Sequence, residues 1–170
     1  MKRTSVVIGL CCVLFLASCT KQRVRREATI GNEILQVTMP AGKEVIHPEH
    51  GKEVWFGLGA MGGNEKVKAN GVAQSHVFAD GTTIVTVNLN IHPAPKGSKF
   101  VAWLAKTGSK ERVRLDILQN PLNDVRHVTT AEIAKDLRAY TDVLVTLEDQ
   151  SGPHDTDPVQ SKGLLKEVER

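Results

Sequence analysis

"TTIVTVNLNIH", residues 82–92, decides the fold. Val85, Val87, Leu89 and Ile91 point one way along it, while Thr86, Asn88, Asn90 and His92 point the other. A period of two is the mark of a strand with one dry and one wet face. "ERVRLDIL" (111–118) repeats the pattern with Val113, Leu115 and Ile117, and "DVLVTLE" (142–148) repeats it with Val143, Val145 and Leu147. Further strands are expected at "EILQVTM" (33–39), "EVWFGL" (53–58), "GVAQSHVF" (71–78) and "KFVAWLA" (99–105). Glycine- and proline-bearing turns separate them: "PAGK", "MGGN", "ADGT", "PAPKGS" and "KTGSK". Strands at this spacing, with no helix between successive ones, predict an all-β fold: a single β-sandwich, Ig-like or related, rather than an α/β fold.

One short helix is expected within it. "TTAEIAKDLRAY" (129–140) opens with Thr129 or Thr130 as cap and Glu132 in the first turn. Ile133, Leu137 and Tyr140 then fall at i, i+4 and i+7, one face able to cover a sheet end. The closing "LLKEVER" fits a short strand or a frayed helix equally.

Outside this domain the chain begins differently. Lys2 and Arg3 precede a twelve-residue apolar run, Val6–Ala17, closed by small residues. That is the layout of a secretory signal, and it is too short for a permanent span, which needs about 20 apolar residues. Leu16, Ala17, Ser18 and Cys19 resemble the lipobox of bacterial lipoproteins. The resemblance implies cleavage before Cys19, a diacylglyceryl group on its thiol and usually an acyl chain on the new amine. One chain anchors marginally, whereas two or more hold firmly. The expected organisation is a signal peptide over residues 1–18, a basic tether over 19–28 and a sandwich domain over 29–170. In the tether, Lys21, Arg23, Arg25 and Arg26 lie beside the anchor, where each base near an anionic surface contributes about 1 kcal/mol. Thr20 is not the aspartate typical of inner-membrane retention, so the sequence points to the cell envelope without choosing a membrane.

The composition narrows the class of protein. A chain of 170 residues, 41% hydrophobic and 4% aromatic, supports one mostly aliphatic core. Without Lys2 and Arg3 its 22 bases fall to 20, against 19 acids. A near-neutral domain has no general attraction for nucleic acid, and none is expected as a partner. All three cysteines, Cys11, Cys12 and Cys19, precede the domain, which excludes disulfides, thiol catalysis and cysteine–zinc sites within it.

Several motifs touch on chemistry without completing it. "GLGAMG" (57–62) satisfies the dinucleotide fingerprint literally, but "GNEKVKANG" after it is no amphipathic helix. A glycine-rich bend or bulge in a hairpin is the expectation there. "KTG" (106–108) has no Ser-x-x-Lys partner motif of penicillin-binding proteins in the mature domain and reads as a turn; no Gly-x-Ser-x-Gly elbow exists. "HPEH" places His47 and His50 three residues apart around Glu49, a weak metal candidate with no second spaced pair. "HDTD" (154–157) lacks the glycine and distal glutamate of a calcium loop. Trp55 and Trp103 fall inside strands, where burial is their ordinary use. No catalytic residue, cofactor or enzymatic activity is expected.

The segment order adds one resemblance. "GVAQSHVFADGTTIVTVNLNIHPAPKGSKFVAWL" is similar to the middle of the extracytoplasmic domain of anti-sigma-K-type factors, with Pro93, Pro95, Gly97, Trp103 and Leu104 at its turn and strand end. Val145–Glu148, Gly152 and Pro158 resemble that family's closing strand and loop. The likeness spans about Gly71–Gly163 and implies a β-sandwich and protein interaction. A chain without a cytoplasmic helical domain or a span would not hold a sigma factor. The expected role is a membrane-anchored, non-enzymatic binding or sensing module with an envelope protein as partner. The alternative is a small-ligand or metal-binding envelope lipoprotein.

Overall fold

The computed structural model describes residues 44–149, 151–152 and 157–169. Leu16–Cys19, the basic stretch to residue 28, the "EILQVTM" strand, the "PAGK" turn and most of "HDTD" lie outside the described residues. Within them the fold is all-β. The strands are β1 (Ile46–His47), β2 (Gly51–Gly62), β3 (Ala69–Phe78), β4 (Thr83–Ile91), β5 (Lys99–Ala105), β6 (Arg112–Ile117), β7 (Arg126–Ile133), β8 (Asp142–Glu148), β9 (Val159–Leu164) and β10 (Lys166–Glu167).

They form one antiparallel sheet in the order β6-β5-β8-β9-β2-β3-β4-β7, with β1 and β10 also on β2. The sheet curls back on itself, and Gln119, just past β6, exchanges backbone hydrogen bonds with Val128 of β7. The result is nearly a closed barrel, flattened like a sandwich. β9 is the seam: its residues pair with β8 from Val159 to Leu164, while Lys162 and Gly163 also pair with Gly62 and Met61 of β2. Lys166 and Glu167 continue along β2 opposite Leu58 and Gly57 in the same register.

The alternation of β4 survives intact. Val85, Val87, Leu89 and Ile91 are buried and join Met61, Ala73, Phe100, Ala102, Leu104, Val143 and Val145 in the core. Fully burying each of the larger side chains among them contributes about 1.5–3 kcal/mol. Trp55 packs against the same cluster, and Trp103 is buried on the other side of β5, its Nε1–H donating to Thr146 Oγ1 at 2.9 Å. Arg112 lies over the Trp103 ring, 4.5 Å from its centre. Within "LLKEVER", Leu164 ends β9 and Lys166–Glu167 form β10.

The expected helix over 129–140 is not there. Thr129–Ile133 belong to β7, which pairs with β4 from Asn90↔Arg126 to Thr83↔Ile133. β-Branched Thr129, Thr130 and Ile133 suit a pleated surface beside a long partner strand, and this outweighs the capping signal. The residues singled out nevertheless share a destination. Leu137 and Tyr140 are core residues and Ile133 packs against them, because the irregular segment after β7 crosses the barrel end. Thr83 Oγ1 pins that segment twice, donating to the Lys135 carbonyl at 2.7 Å and accepting from the Leu137 N–H at 3.0 Å.

The glycine run also differs from the bend expected of it. Gly57, Gly59 and Gly62 lie within β2, and the irregularity falls earlier, between Glu53 and Trp55. Glycine is required here by close approach: a Cβ on Gly57 would meet the Trp55 ring at 2.2 Å, and one on Gly59 would meet the Leu164 carbonyl oxygen at 2.5 Å.

Candidate functional site

The outward face of β2, β3, β4 and β7 is built from cross-strand rows that the register fixes. One row runs Phe56, His76, Ile84, Glu132; the next runs Leu58, Gln74, Thr86, Thr130. Then come Ala60, Val72, Asn88, Val128, and last Gly62, Asn70, Asn90, Arg126. Leu164 adjoins Ala60, since Gly163 pairs with Met61 in the same ladder. Leu58 (39% exposed), Val72 (39%) and Leu164 (46%) therefore form an apolar stripe in solvent. Uncharged polar side chains border it. Thr86 and Thr130 share a hydroxyl contact of 3.1 Å, and Asn90 Nδ2 donates to Asn70 Oδ1 at 3.0 Å. Charge flanks it on the β9–β10 side, where exposed Lys162 and Lys166 bracket Leu164 and Lys166 stands opposite Leu58, and lies farther off at Arg126 and Glu132.

At the Glu132 end, the turn between β1 and β2 folds over this face. Its histidine rings stack, His47 on His50, with centroids 4.6 Å apart, and both lie against Phe78, at 5.2 and 5.7 Å. Phe78 and Ile84 are buried although they belong to the outward face, so this corner is a small second core outside the main one. Phe56 and His76 extend it, with ring centres 4.8 Å apart.

Polar groups close the corner. His76 Nδ1–H donates to Glu53 Oε1 at 2.5 Å. His50 Nδ1–H donates to Asp80 Oδ2 at 2.8 Å, and its Nε2 stands 3.3 Å from Glu132 Oε1. The bond to Asp80 raises the His50 pKa above the ordinary histidine range; Glu132 adds to this and partial desolvation opposes it. Asp80 is held below the usual carboxylate range, chiefly by the Thr82 N–H at 2.8 Å. His47 Nδ1 accepts from the N–H groups of Glu49 and His50, both at 3.3 Å. The structure thus joins the two histidines named from the sequence: backbone N–H groups engage His47 Nδ1, Asp80 engages His50 Nδ1, and the buried His50 Nε2 faces Glu132 without a hydrogen bond. No group of three or more metal-ligating side chains gathers among the described residues.

Two features carried no sequence signal. His127 is buried at the opposite end, its Nδ1–H donating to the Val125 carbonyl at 3.0 Å and its ring edge-on to Phe100. Glu148, at the end of β8, is fully buried, with one carboxylate oxygen 3.4 Å from Arg114 and the other without a hydrogen-bond partner. Neither position breaks the alternation that a sequence reading relies on. "KTG" is a turn, with Gly108 at φ 75°. Set against protein-family models, curated proteins and solved structures, the chain matches none.

Proposed function

We propose that this chain is a lipid-anchored, non-enzymatic binding module of the cell envelope, and that it presents the outward face of β2–β3–β4–β7 to an envelope protein. One observation carries the reading: Leu58, Val72 and Leu164 stand exposed together, with uncharged Gln74, Thr86, Asn88 and Thr130 on one side and Lys162 and Lys166 on the other. An apolar centre with a polar and charged rim is the anatomy of a protein interface. The lipobox-like Leu16–Cys19 supports a location at a membrane surface, and the resemblance to anti-sigma-K-type outer domains supports protein interaction rather than catalysis. A metal carrier built on His47 and His50 is the weaker reading, because both Nδ1 atoms are already hydrogen-bonded and no third metal-ligating side chain gathers with them among the described residues.

The test is crosslinking in intact cells followed by mass spectrometry, comparing the native chain with Leu58→Asp/Val72→Asp. Both positions face solvent, so the thermal midpoint should stay within a few degrees of native. One dominant envelope protein captured by the native chain and lost in the double variant is the expected result. Equal capture by both chains, or no capture at native expression, overturns the proposal. Calorimetric titration with zinc and copper, before and after His47→Ala/His50→Ala, separates the metal reading.

A further inference from the structure

His50 joins three parts of the chain that are distant in sequence. It sits in the β1–β2 turn, and one ring nitrogen meets Asp80 in the β3–β4 turn while the other meets Glu132 on β7. Both partners are carboxylates. A neutral imidazole carries one N–H, so it can donate to one of them and must turn a lone pair toward the other. Only the imidazolium suits both, through a hydrogen bond to Asp80 and through opposite charge at Glu132, whose 3.3 Å approach to Nε2 is an ion-pair contact without hydrogen-bond geometry. The His50 side chain is 11% exposed and Nε2 is shielded from solvent, so water is poorly placed to relieve the mismatch.

The surrounding charges favour the same state. On its own turn, His50 stacks on His47, whose Nδ1 accepts two backbone N–H groups and so carries no proton there. Glu49 lies exposed on that turn. From β2, Lys52 is paired with Glu44 at 2.6 Å and Glu53 is bonded to His76 of β3. Asp80 and Glu132 complete the set. The groups in contact with the ring nitrogens are therefore both acidic.

We propose that His50 is a proton-operated latch: as imidazolium it clasps the β1–β2 turn onto Asp80 and Glu132, and loss of the proton frees the turn and uncovers Phe78 and Ile84. The sign follows from linkage. Because the folded-state pKa is raised, the contribution of the latch is fully present below about pH 6.5 and is lost as pH rises through the higher His50 value. The device does not depend on the docking face proposed above.

Two backbone hydrogen bonds tie the turn region to its neighbours and serve as reporters: Glu53 N–H to the Val45 carbonyl, and Ala79 N–H to the Lys52 carbonyl, each 2.8 Å. The experiment is NMR on the full purified chain, combining ring-nitrogen titration of His50 with hydrogen exchange at those two amides, corrected for intrinsic rates. The expected result is an imidazolium at His50 up to pH values above the ordinary histidine range. Protection at both amides should then fall severalfold as the ring deprotonates, following the His50 titration curve. Glu132→Gln, at a side chain 54% exposed, should keep the fold and lower the His50 midpoint. His50→Gln should show low, pH-independent protection. A His50 midpoint at or below the ordinary value, or protection that stays constant while His50 titrates, overturns the latch. If His50→Gln does not fold, the Glu132→Gln midpoint decides, since an unchanged midpoint refutes the clasp.

Discussion

Leu137→Ala probes the plug at the barrel end. The side chain is 1% exposed and belongs to the core cluster, yet it sits in a segment without regular structure. Truncation removes three carbons, about 2.4 kcal/mol of transfer free energy at about 0.8 kcal/mol per group. Surrounding side chains come from β-strands held in a hydrogen-bonded ladder, so the cavity collapses little and the total should reach about 3–4 kcal/mol. Urea unfolding followed by tryptophan fluorescence measures this as a lower midpoint with an unchanged slope. Thr83→Val is the companion variant. It removes the hydroxyl that serves both Lys135 and Leu137 and leaves two backbone groups unpaired, a cost of about 1–3 kcal/mol. Because both changes loosen one segment, the double variant should lose less than the sum. A Leu137→Ala cost under about 1 kcal/mol, or full additivity with Thr83→Val, would refute the reasoning that this segment closes the core.

Gly71→Ala should destabilise the domain by about 2 kcal/mol or more, seen as a lower thermal midpoint, because its Cβ would meet the Asn88 carbonyl oxygen at 2.1 Å and push β3 from β4. Ala134→Gly separates the helix expected from the sequence from the irregular segment found: a helix interior would lose about 1 kcal/mol, whereas the exposed bend here should lose under about 0.5 kcal/mol by chemical denaturation. Cys19→Ser should release the protein from detergent-washed membranes or leave it uncleaved, and unchanged fractionation and processing would count against the lipobox reading.

Much of the sheet was legible because strands bury one face at a time. β4 shows its alternation in four successive inward residues, and the turns announced themselves through Gly81, Gly97 and Gly108, all at positive φ. The error over 129–140 has a specific origin. Leu137 and Tyr140 are core residues and Ile133 packs against the core, all at helical spacing, but the spacing reports destination, and a strand end followed by an irregular crossing reaches the same place. Whether β4 offers a free edge to Thr129–Ile133 is a tertiary fact that no local pattern carries. The histidine corner was half visible. His47 and His50 are neighbours in sequence, whereas Asp80 lies 30 residues beyond His50 and Glu132 farther still. Ile84 reads as a wet-face position and is buried because a distant turn folds over it.

β9 sets the order in which the fold can be completed. A chain emerging from its N-terminal end makes β2, β3, β4 and β7 on one side and β5, β6 and β8 on the other before the strand that lies between β2 and β8. Until Val159–Leu164 arrives, each half keeps an unpaired edge, the condition that invites mispairing between chains. Folding is thus gated by a late, long-range event, and the half-made molecule is the one exposed to its neighbours. This places the hazard before β9 docks, and that short strand becomes the natural point for a chaperone to guard.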